Sequence, residues 1–180
     1  MDVEPANDAS LIQLDQKEHS GHRISDNDAL VTTALLANYE IERVFIDSGS
    51  SADILFGEAF DQMQLGDVPL EAVDTLLYGF AGEVVHPRGM ISLPLTLGTS
   101  PLRKICLLKF LVVDILSAYN VILERPTLNA FRAIISTYHM KIKFPVVGGV
   151  GEAQADILQA HKRYVEAIKR GKKDAEGSIW

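Results

Sequence analysis

Short apolar runs, separated by polar or glycine-containing turns, occupy the chain from Asp28 to Phe144. Most runs are too short for a helix and are rich in β-branched and aromatic residues, which favours strands. The predicted strands are residues 29–36, 41–46, 75–78, 83–85, 90–97, 105–113, 121–123, 133–136 and 140–144. The first two predict a hairpin with its turn at residues 38–40. Many short strands at close spacing predict a mainly β, barrel-like domain.

Two segments carry helix signals instead. Residues 53–63 place apolar side chains at helical spacing, which predicts a short amphipathic helix with Asp53 as its cap. Pro126 suits the first turn of a second helix over residues 127–131. The predicted fold class is therefore mainly β with one or two short helices, plus a C-terminal helical tail.

The two ends of the chain differ in character from its middle. Residues 1–27 are polar and acidic, which predicts a flexible leader outside the core. Near the other end, Gly148, Gly149 and Gly151 predict a flexible joint, and an apolar stripe predicts an amphipathic helix over residues 152–170. The predicted organisation is a leader (1–27), a folded domain (28–146) and a joint with a helical tail (147–180).

Composition and charge narrow the classes of function. The 180-residue chain is 47% hydrophobic, enough to bury a core, and its net charge of −7 opposes binding to phosphate backbones. The basic residues of the tail are interpreted as a solvated helix face, so we expect no nucleic-acid partner. No apolar run is long enough to span a bilayer, and no signal peptide is recognised at the start. These features predict an intracellular, cytoplasmic protein with no membrane partner.

Cysteine and histidine give no sign of a metal or redox site. Cys106 is the single cysteine and lies in an apolar run, which indicates a buried structural thiol. His19 and His22 lie close together, but no cysteine or further histidine stands at metal-binding spacing. We therefore expect neither a metal nor a cofactor.

The candidate chemistry lies in the segment Asp47-Ser48-Gly49, which follows the predicted strand 41–46. A carboxylate at the end of a buried strand is costly unless it is hydrogen-bonded or functional. The small residues 50–52 let the backbone turn sharply and bring N–H groups close to that carboxylate. This is the local arrangement of an aspartic protease active-site loop, and an ordinary turn is the alternative.

Aspartic protease chemistry needs two carboxylates, whereas this segment occurs once. Two carboxyl groups that share a proton activate a water molecule and polarise the scissile carbonyl. A C2 homodimer supplies the second carboxylate by placing Asp47 opposite its symmetry mate. Ser48 is then expected to hydrogen-bond across the axis, and Gly49 to admit the substrate backbone. The expected partners are a second copy of the chain and a polypeptide substrate.

A glycine-bearing hairpin is predicted further along the chain. The strands 75–78 and 83–85 flank a tip with two glycines, which is typical of a mobile hairpin. Such a hairpin can fold over a peptide substrate as a flap, although most glycine-bearing hairpins are only turns. The candidate flap and substrate-binding residues are Tyr78, Gly79, Phe80, Ala81 and Gly82.

In combination, these segments resemble the retropepsin-like proteases of plant gypsy-type retrotransposon polyproteins. The resemblance is carried by residues 27–31, 43–56, 77–83, 110–113, 118–130 and 136–145. It implies an acid protease barrel that works as a homodimer. It also implies aspartic-type endopeptidase activity on the element's own polyprotein.

Residues Ile122, Leu123, Glu124 and Arg125 are implied to support the active site, and one of them departs from the family pattern. The family has a glycine at the position of Glu124, packed beside the active-site loop. A larger charged side chain is expected to clash there or to add a carboxylate beside the dyad. Arg125, which in the family braces the dimer and the active-site region, is retained. The alternative function is therefore a catalytically inactive remnant that only dimerises or binds peptides.

Overall fold

The fold is mainly β, as predicted, in a computed structural model that describes residues 12–14, 28–78 and 82–156. Within these ranges the chain forms eleven strands and two short helices. The strands are β1 (Val31–Leu36), β2 (Tyr39–Ile46), β3 (Asp53–Phe56), β4 (Leu77–Tyr78), β5 (Val84–Val85), β6 (Gly89–Thr99), β7 (Leu102–Val113), β8 (Val121–Leu123), β9 (Ile134–Ser136), β10 (Lys141–Val146) and β11 (Gly149–Gln154). The helices are α1 (Gly57–Met63) and α2 (Arg125–Phe131).

Six strands close a barrel in the order β1-β2-β8-β3-β7-β6, which confirms the predicted architecture. The short strand β8 pairs in parallel with β2 and antiparallel with β3. It therefore lies between the strand that enters the Asp47 segment and the strand that leaves it. Buried apolar side chains such as Leu36, Leu55, Leu95, Phe110 and Leu123 fill the interior, and their removal from water is the main force that stabilises the barrel.

The hairpin of β1 and β2 forms as predicted, but its turn comes one residue earlier. Ala37 and Asn38 both have positive φ, 47° and 68°, the conformation of a two-residue turn that matches the twist of the strands. The register of the pair shifts by one residue between Thr32 and Ala34. Arg43, on the opposite strand, has φ 58°. A β-bulge therefore interrupts this hairpin.

The helix predicted over residues 53–63 is wrong for its first four residues. Residues 53–56 form β3, and the helix begins at Gly57. β3 is bonded on one side to β7 and on the other to β8, so its backbone groups are satisfied in the barrel. The pairing with distant strands overrides the helical spacing of the local sequence.

The predicted glycine-rich joint is also wrong where the structure describes it. Residues 149–154 form β11, which pairs with β10 along its whole length, and Glu152 lies in this strand and not in a helix. A Cβ on Gly151 would lie 2.5 Å from the ring of Phe144 and 2.7 Å from the carbonyl oxygen of Leu102. The glycine therefore permits close packing and not flexibility. The rest of the predicted helix, and all of the leader except residues 12–14, lie outside the described residues.

Candidate active site

Asp47 lies directly after β2, at the start of a loop (residues 47–52, here the Asp47 loop) that leads into β3. Its N–H donates to the carbonyl oxygen of Leu123 at 2.9 Å, which ties the loop to β8. The N–H of Gly49 donates to Asp47 Oδ1 at 3.1 Å. Asp47 is half-buried, whereas Ser48 and Gly49 are exposed. The backbone thus holds the carboxylate while leaving it accessible from outside the barrel.

Glycine at position 49 keeps the space beside this carboxylate open. A Cβ there would lie 3.5 Å from both carboxylate oxygens of Asp47, at ordinary contact distance. Alanine is therefore not excluded by a clash, but a larger side chain would extend from a point next to the carboxylate. That Gly49 admits the substrate backbone stays a prediction.

Both main-chain groups of Ser50 are held by consecutive side chains at the start of α2. The N–H of Ser50 donates to Glu124 Oε2 at 2.8 Å, and Arg125 Nε donates to the carbonyl oxygen of Ser50 at 2.8 Å. The Glu124 side chain fits at this position because its carboxylate has a hydrogen-bond donor, although the residue is only 5% exposed. The Glu124 carboxylate thus lies beside the Asp47 loop and is bound to it through Ser50.

The prediction that Asp53 caps α1 is wrong, because the N-cap of this helix is Phe56. Asp53 instead accepts hydrogen bonds at the start of α2. Its Oδ1 accepts from the N–H of Glu124 at 2.6 Å, and its Oδ2 accepts from Thr127 Oγ1 at 2.9 Å. The residue is 1% exposed. Burial raises the pKa of Asp53 to about 6, against the opposing effect of the hydrogen bonds from Glu124 and Thr127.

The electrostatics of Glu124 follow from its neighbours. Burial raises the pKa of Glu124, and the negative charges of Asp47 and Asp53 act in the same direction. The hydrogen bond from Ser50 and the charge of Arg125 oppose this rise. The negative charges of two neighbouring carboxylates therefore disfavour the ionised form of Glu124.

The predicted hairpin arms pair as β4 and β5, with Leu77 opposite Val85 and Tyr78 opposite Val84. Tyr78 is 72% exposed, so its ring is available to a ligand or a second subunit. Gly82 has φ 82°, a conformation that favours glycine. The remaining candidate flap residues, Gly79, Phe80 and Ala81, lie outside the described residues.

Ile122 and Leu123 both lie in β8, the strand to which the Asp47 loop is bonded. Leu123 is fully buried, and Ile122 is paired with Phe45 on one side and Ile54 on the other. This strand brings the residues implied by the resemblance next to the Asp47 loop.

Sequence reasoning did not identify Asn120, which joins three segments beside β8. Its side chain accepts from Arg43 Nη2 at 2.7 Å and donates to the carbonyl oxygen of Glu42 at 2.9 Å. Its own carbonyl oxygen accepts from the N–H of Phe56 at 3.0 Å. An asparagine just before a short apolar strand was the available signal, and it is a weak one.

The described part of the chain contains no group of three or more His, Cys, Asp or Glu residues that could hold a metal ion. Among the same residues, no helix is both long and apolar enough to cross a membrane.

Comparison with solved structures identifies the fold. The structure is similar to the retroviral protease-like domain of Ddi1 from Leishmania major, with a TM-score of 0.50 and 17% identity over 71% of this chain and 94% of that chain. Two further similar structures are the EIAV protease in complex with the inhibitor HBY-793 (TM-score 0.46, 19% identity, 64% of this chain and 99% of that one) and a retropepsin-like aspartic protease from Rickettsia conorii (TM-score 0.45, 17% identity, 68% and 80%). No protein-family model and no curated protein matches the sequence.

The chain therefore has a retropepsin-like aspartic protease fold: a closed six-stranded barrel with two short helices among its described residues.

Proposed function

We propose that this protein is an aspartic-type endopeptidase whose dyad consists of Asp47 and its symmetry mate in a homodimer. The observation that carries the proposal is the Asp47 loop: a half-buried carboxylate, fixed by the N–H of Gly49 and open to the outside, on a retropepsin-like barrel. The dimer is required by the chemistry, because the chain supplies one Asp-Ser-Gly segment and the reaction uses two carboxyl groups.

In the proposed dimer, the two Asp47 carboxyl groups share one proton and hold a water molecule between them. The ionised carboxylate takes a proton from this water as it attacks the scissile carbonyl carbon. The protonated carboxyl group donates a hydrogen bond to the carbonyl oxygen. The tetrahedral intermediate then collapses as the amine accepts a proton and leaves, so no covalent enzyme intermediate forms.

The hairpin of β4 and β5 is proposed to act as the flap. With its tip at Gly79, Phe80 and Ala81, it would cover a bound peptide and exclude water, while Tyr78 and Gly82 flank that tip. Ser48 is proposed to hydrogen-bond across the dimer axis. Ile122, Leu123, Glu124 and Arg125 would support the loop from below, in agreement with the bonds of Ser50 and Asp47.

The substrate is proposed to be the polyprotein of a plant gypsy-type retrotransposon that contains this segment, cut in the cytoplasm. This part of the proposal rests on the resemblance of residues 118–130 and the other segments to that family. An inactive remnant that only dimerises or binds peptides is the second candidate. The observation that favours it is Glu124, a buried carboxylate where the family has glycine.

Cleavage of a denatured protein at about pH 5, with and without pepstatin, tests the proposal. We expect pepstatin-sensitive cleavage by the wild type and a loss of at least about 100-fold in Asp47→Asn, because asparagine cannot act as the base. The variant should fold, since its side-chain oxygen can still accept from Gly49. Asp67→Asn, at an exposed loop position, is the matched control and should cleave normally.

Equal cleavage by Asp47→Asn would refute the assignment of Asp47. No pepstatin-sensitive cleavage by the wild type would favour the remnant. Sedimentation equilibrium measures the oligomeric state independently. A chain that is strictly monomeric but active would contradict the shared dyad.

A further inference from the structure

We propose that Glu124 is a positioning residue of the Asp47 loop, acting through the hydrogen bond that its carboxylate accepts from the N–H of Ser50. This inference rests on the proposed function for its catalytic consequence, but not for its structural part. Glu124 is the residue that favours an inactive remnant, and this inference gives it a role that supports activity.

The Asp47 loop is attached to the barrel at two places. Its N-terminal end is held by the bond from the N–H of Asp47 to Leu123, and its middle by the two bonds of Ser50 to Glu124 and Arg125. Between these points, Ser48 and Gly49 are exposed. A glycine at position 124 would leave Arg125 as the only described side chain that holds Ser50. The Glu124 carboxylate thus adds a second side-chain hydrogen bond to Ser50, close to Asp47.

Glu124 is itself held in place by its backbone. Its N–H is bound by the buried carboxylate of Asp53 in β3, and its backbone is the N-cap of α2. The anchor therefore runs from the buried pair of Asp53 and Glu124 to the half-buried Ser50. Such a pre-positioned acceptor loses little entropy when it binds the loop.

The bond between Glu124 and Ser50 is also favourable in energy. A buried carboxylate without a donor is strongly unfavourable, whereas a backbone N–H bound to an ionised oxygen forms one of the stronger hydrogen bonds in proteins. The Glu124 carboxylate and the Ser50 N–H therefore satisfy each other's hydrogen-bonding requirement. A glycine would remove the buried charge but would also leave the Ser50 N–H without this acceptor.

Protonation of Glu124 should weaken the anchor. The groups that act on its charge are Asp47 in the loop, Asp53 in β3 and Arg125 in α2, together with the Ser50 N–H. The raised pKa of Glu124 means that it is protonated at a higher pH than an exposed glutamate. The anchor should therefore weaken at a higher pH than it would if this glutamate were exposed.

The structural test is NMR of the ¹⁵N-labelled full chain. The Ser50 amide should titrate with pH in the wild type, and it should lose this titration in Glu124→Gln, which keeps an acceptor but no charge. In Glu124→Leu, which has no acceptor, the hydrogen exchange of this amide should rise at least about 10-fold. Glu58→Gln, an exposed change in α1, is the matched control. An unchanged Ser50 amide in Glu124→Leu would overturn the inference.

The catalytic test compares kcat per pepstatin-titrated site in the same variants. We expect kcat to fall about 10- to 100-fold in Glu124→Leu and Glu124→Gly with little change in KM, because the loop carries the reacting group. Glu124→Gln should stay within about threefold of the wild type at a pH where Glu124 is ionised. A Glu124→Gly variant as active as the wild type, or more active, would also overturn the inference.

The two proposals fail in different ways. If the Ser50 amide responds as expected but no variant and no wild type cleaves, the anchor stands and the protease function fails. If the wild type cleaves but the Ser50 amide is unaffected by Glu124→Leu, the protease function stands and the anchor fails.

Discussion

At the scale of single residues, the junction of β8 and α2 is defined by two buried carboxyl groups. Asp53 receives the N–H of Glu124, and Glu124 receives the N–H of Ser50. Each group is satisfied, yet burial raises the pKa of both. Folding therefore favours their protonated forms relative to the unfolded chain, and this has a measurable consequence for stability.

The contribution of Asp53 to stability should decrease as the pH rises. Its pKa of about 6 in the folded chain lies above its ordinary value of 3.8, so its favourable contribution is complete below pH 3.8 and is lost towards pH 6. The difference corresponds to about 3 kcal/mol. Urea denaturation at fixed protein concentration between these pH values measures it.

Asp53→Asn should remove this part of the pH dependence, because asparagine does not titrate. Asp67→Asn at an exposed position should leave it unchanged. The same pH dependence in the wild type and in Asp53→Asn would show that Asp53 is not the source.

At the scale of elements, Arg88 links three of them just before β6. It donates to Asp61 in α1 at 2.6 Å and to Asp114 after β7 at 3.1 Å, and its own N–H donates to Val112 at 2.7 Å. The carboxylates of Asp61 and Asp114 are largely exposed, so the ion pairs themselves should add little stability. Their importance is geometric, because they hold α1 against the end of β7, where the buried Gly57 lies next to Asp114.

Gly57→Ala should therefore destabilise the protein by about 1–3 kcal/mol. The new Cβ would overlap Asp114 Oδ1 and lie 3.0 Å from Arg88 Nη2, which displaces the network. The better helix propensity of alanine offsets this by at most about 1 kcal/mol. The adjacent exposed change Glu58→Ala should cost less than about 0.5 kcal/mol. Urea denaturation compares the two, and a more stable Gly57→Ala would mean that propensity outweighs the overlap.

At the scale of the whole molecule, β11 joins the barrel to the sheet β11-β10-β9. Its last carbonyl, that of Gln154, accepts from Thr32 Oγ1 at 2.9 Å, and the next residues bond to Met140 and Val31. The folded region thus extends beyond the boundary predicted at residue 146.

Truncation tests this extension. A chain ending at Val146 loses β11 and exposes Phe144, which is fully buried, so we expect no cooperative thermal transition. A chain ending at Asp156 keeps every described bond of β11 and should unfold cooperatively. Circular dichroism measures both, and a cooperative transition in the shorter chain would contradict the assigned role of β11.

Local features of the fold could be predicted from the sequence, whereas long-range ones could not. The β1–β2 hairpin, β8 and the Asp-Ser-Gly turn each depend on neighbouring residues, so strand propensity and turn chemistry were sufficient. The partners of Glu124 lie 74 and 71 residues away at Ser50 and Asp53. Only the closed barrel brings them together, and no local pattern indicates such pairs. The prediction of a flexible joint at Gly151 was wrong for a related reason. The glycine is needed for close packing against the distant Leu102.

The bulge in the first hairpin places a constraint on chain length. Ile41, Val44 and Ile46 are all buried although 41 and 44 are an odd number of positions apart, and the left-handed residue Arg43 absorbs the difference. The bulge accommodates one extra residue, so deleting one of the two residues between Ile41 and Val44 would give a regular strand in which both side chains still face inward. A single-residue insertion or deletion between Val44 and Asp47, where the pairing with β8 is regular, would instead reverse the side of the strand to which Asp47 points.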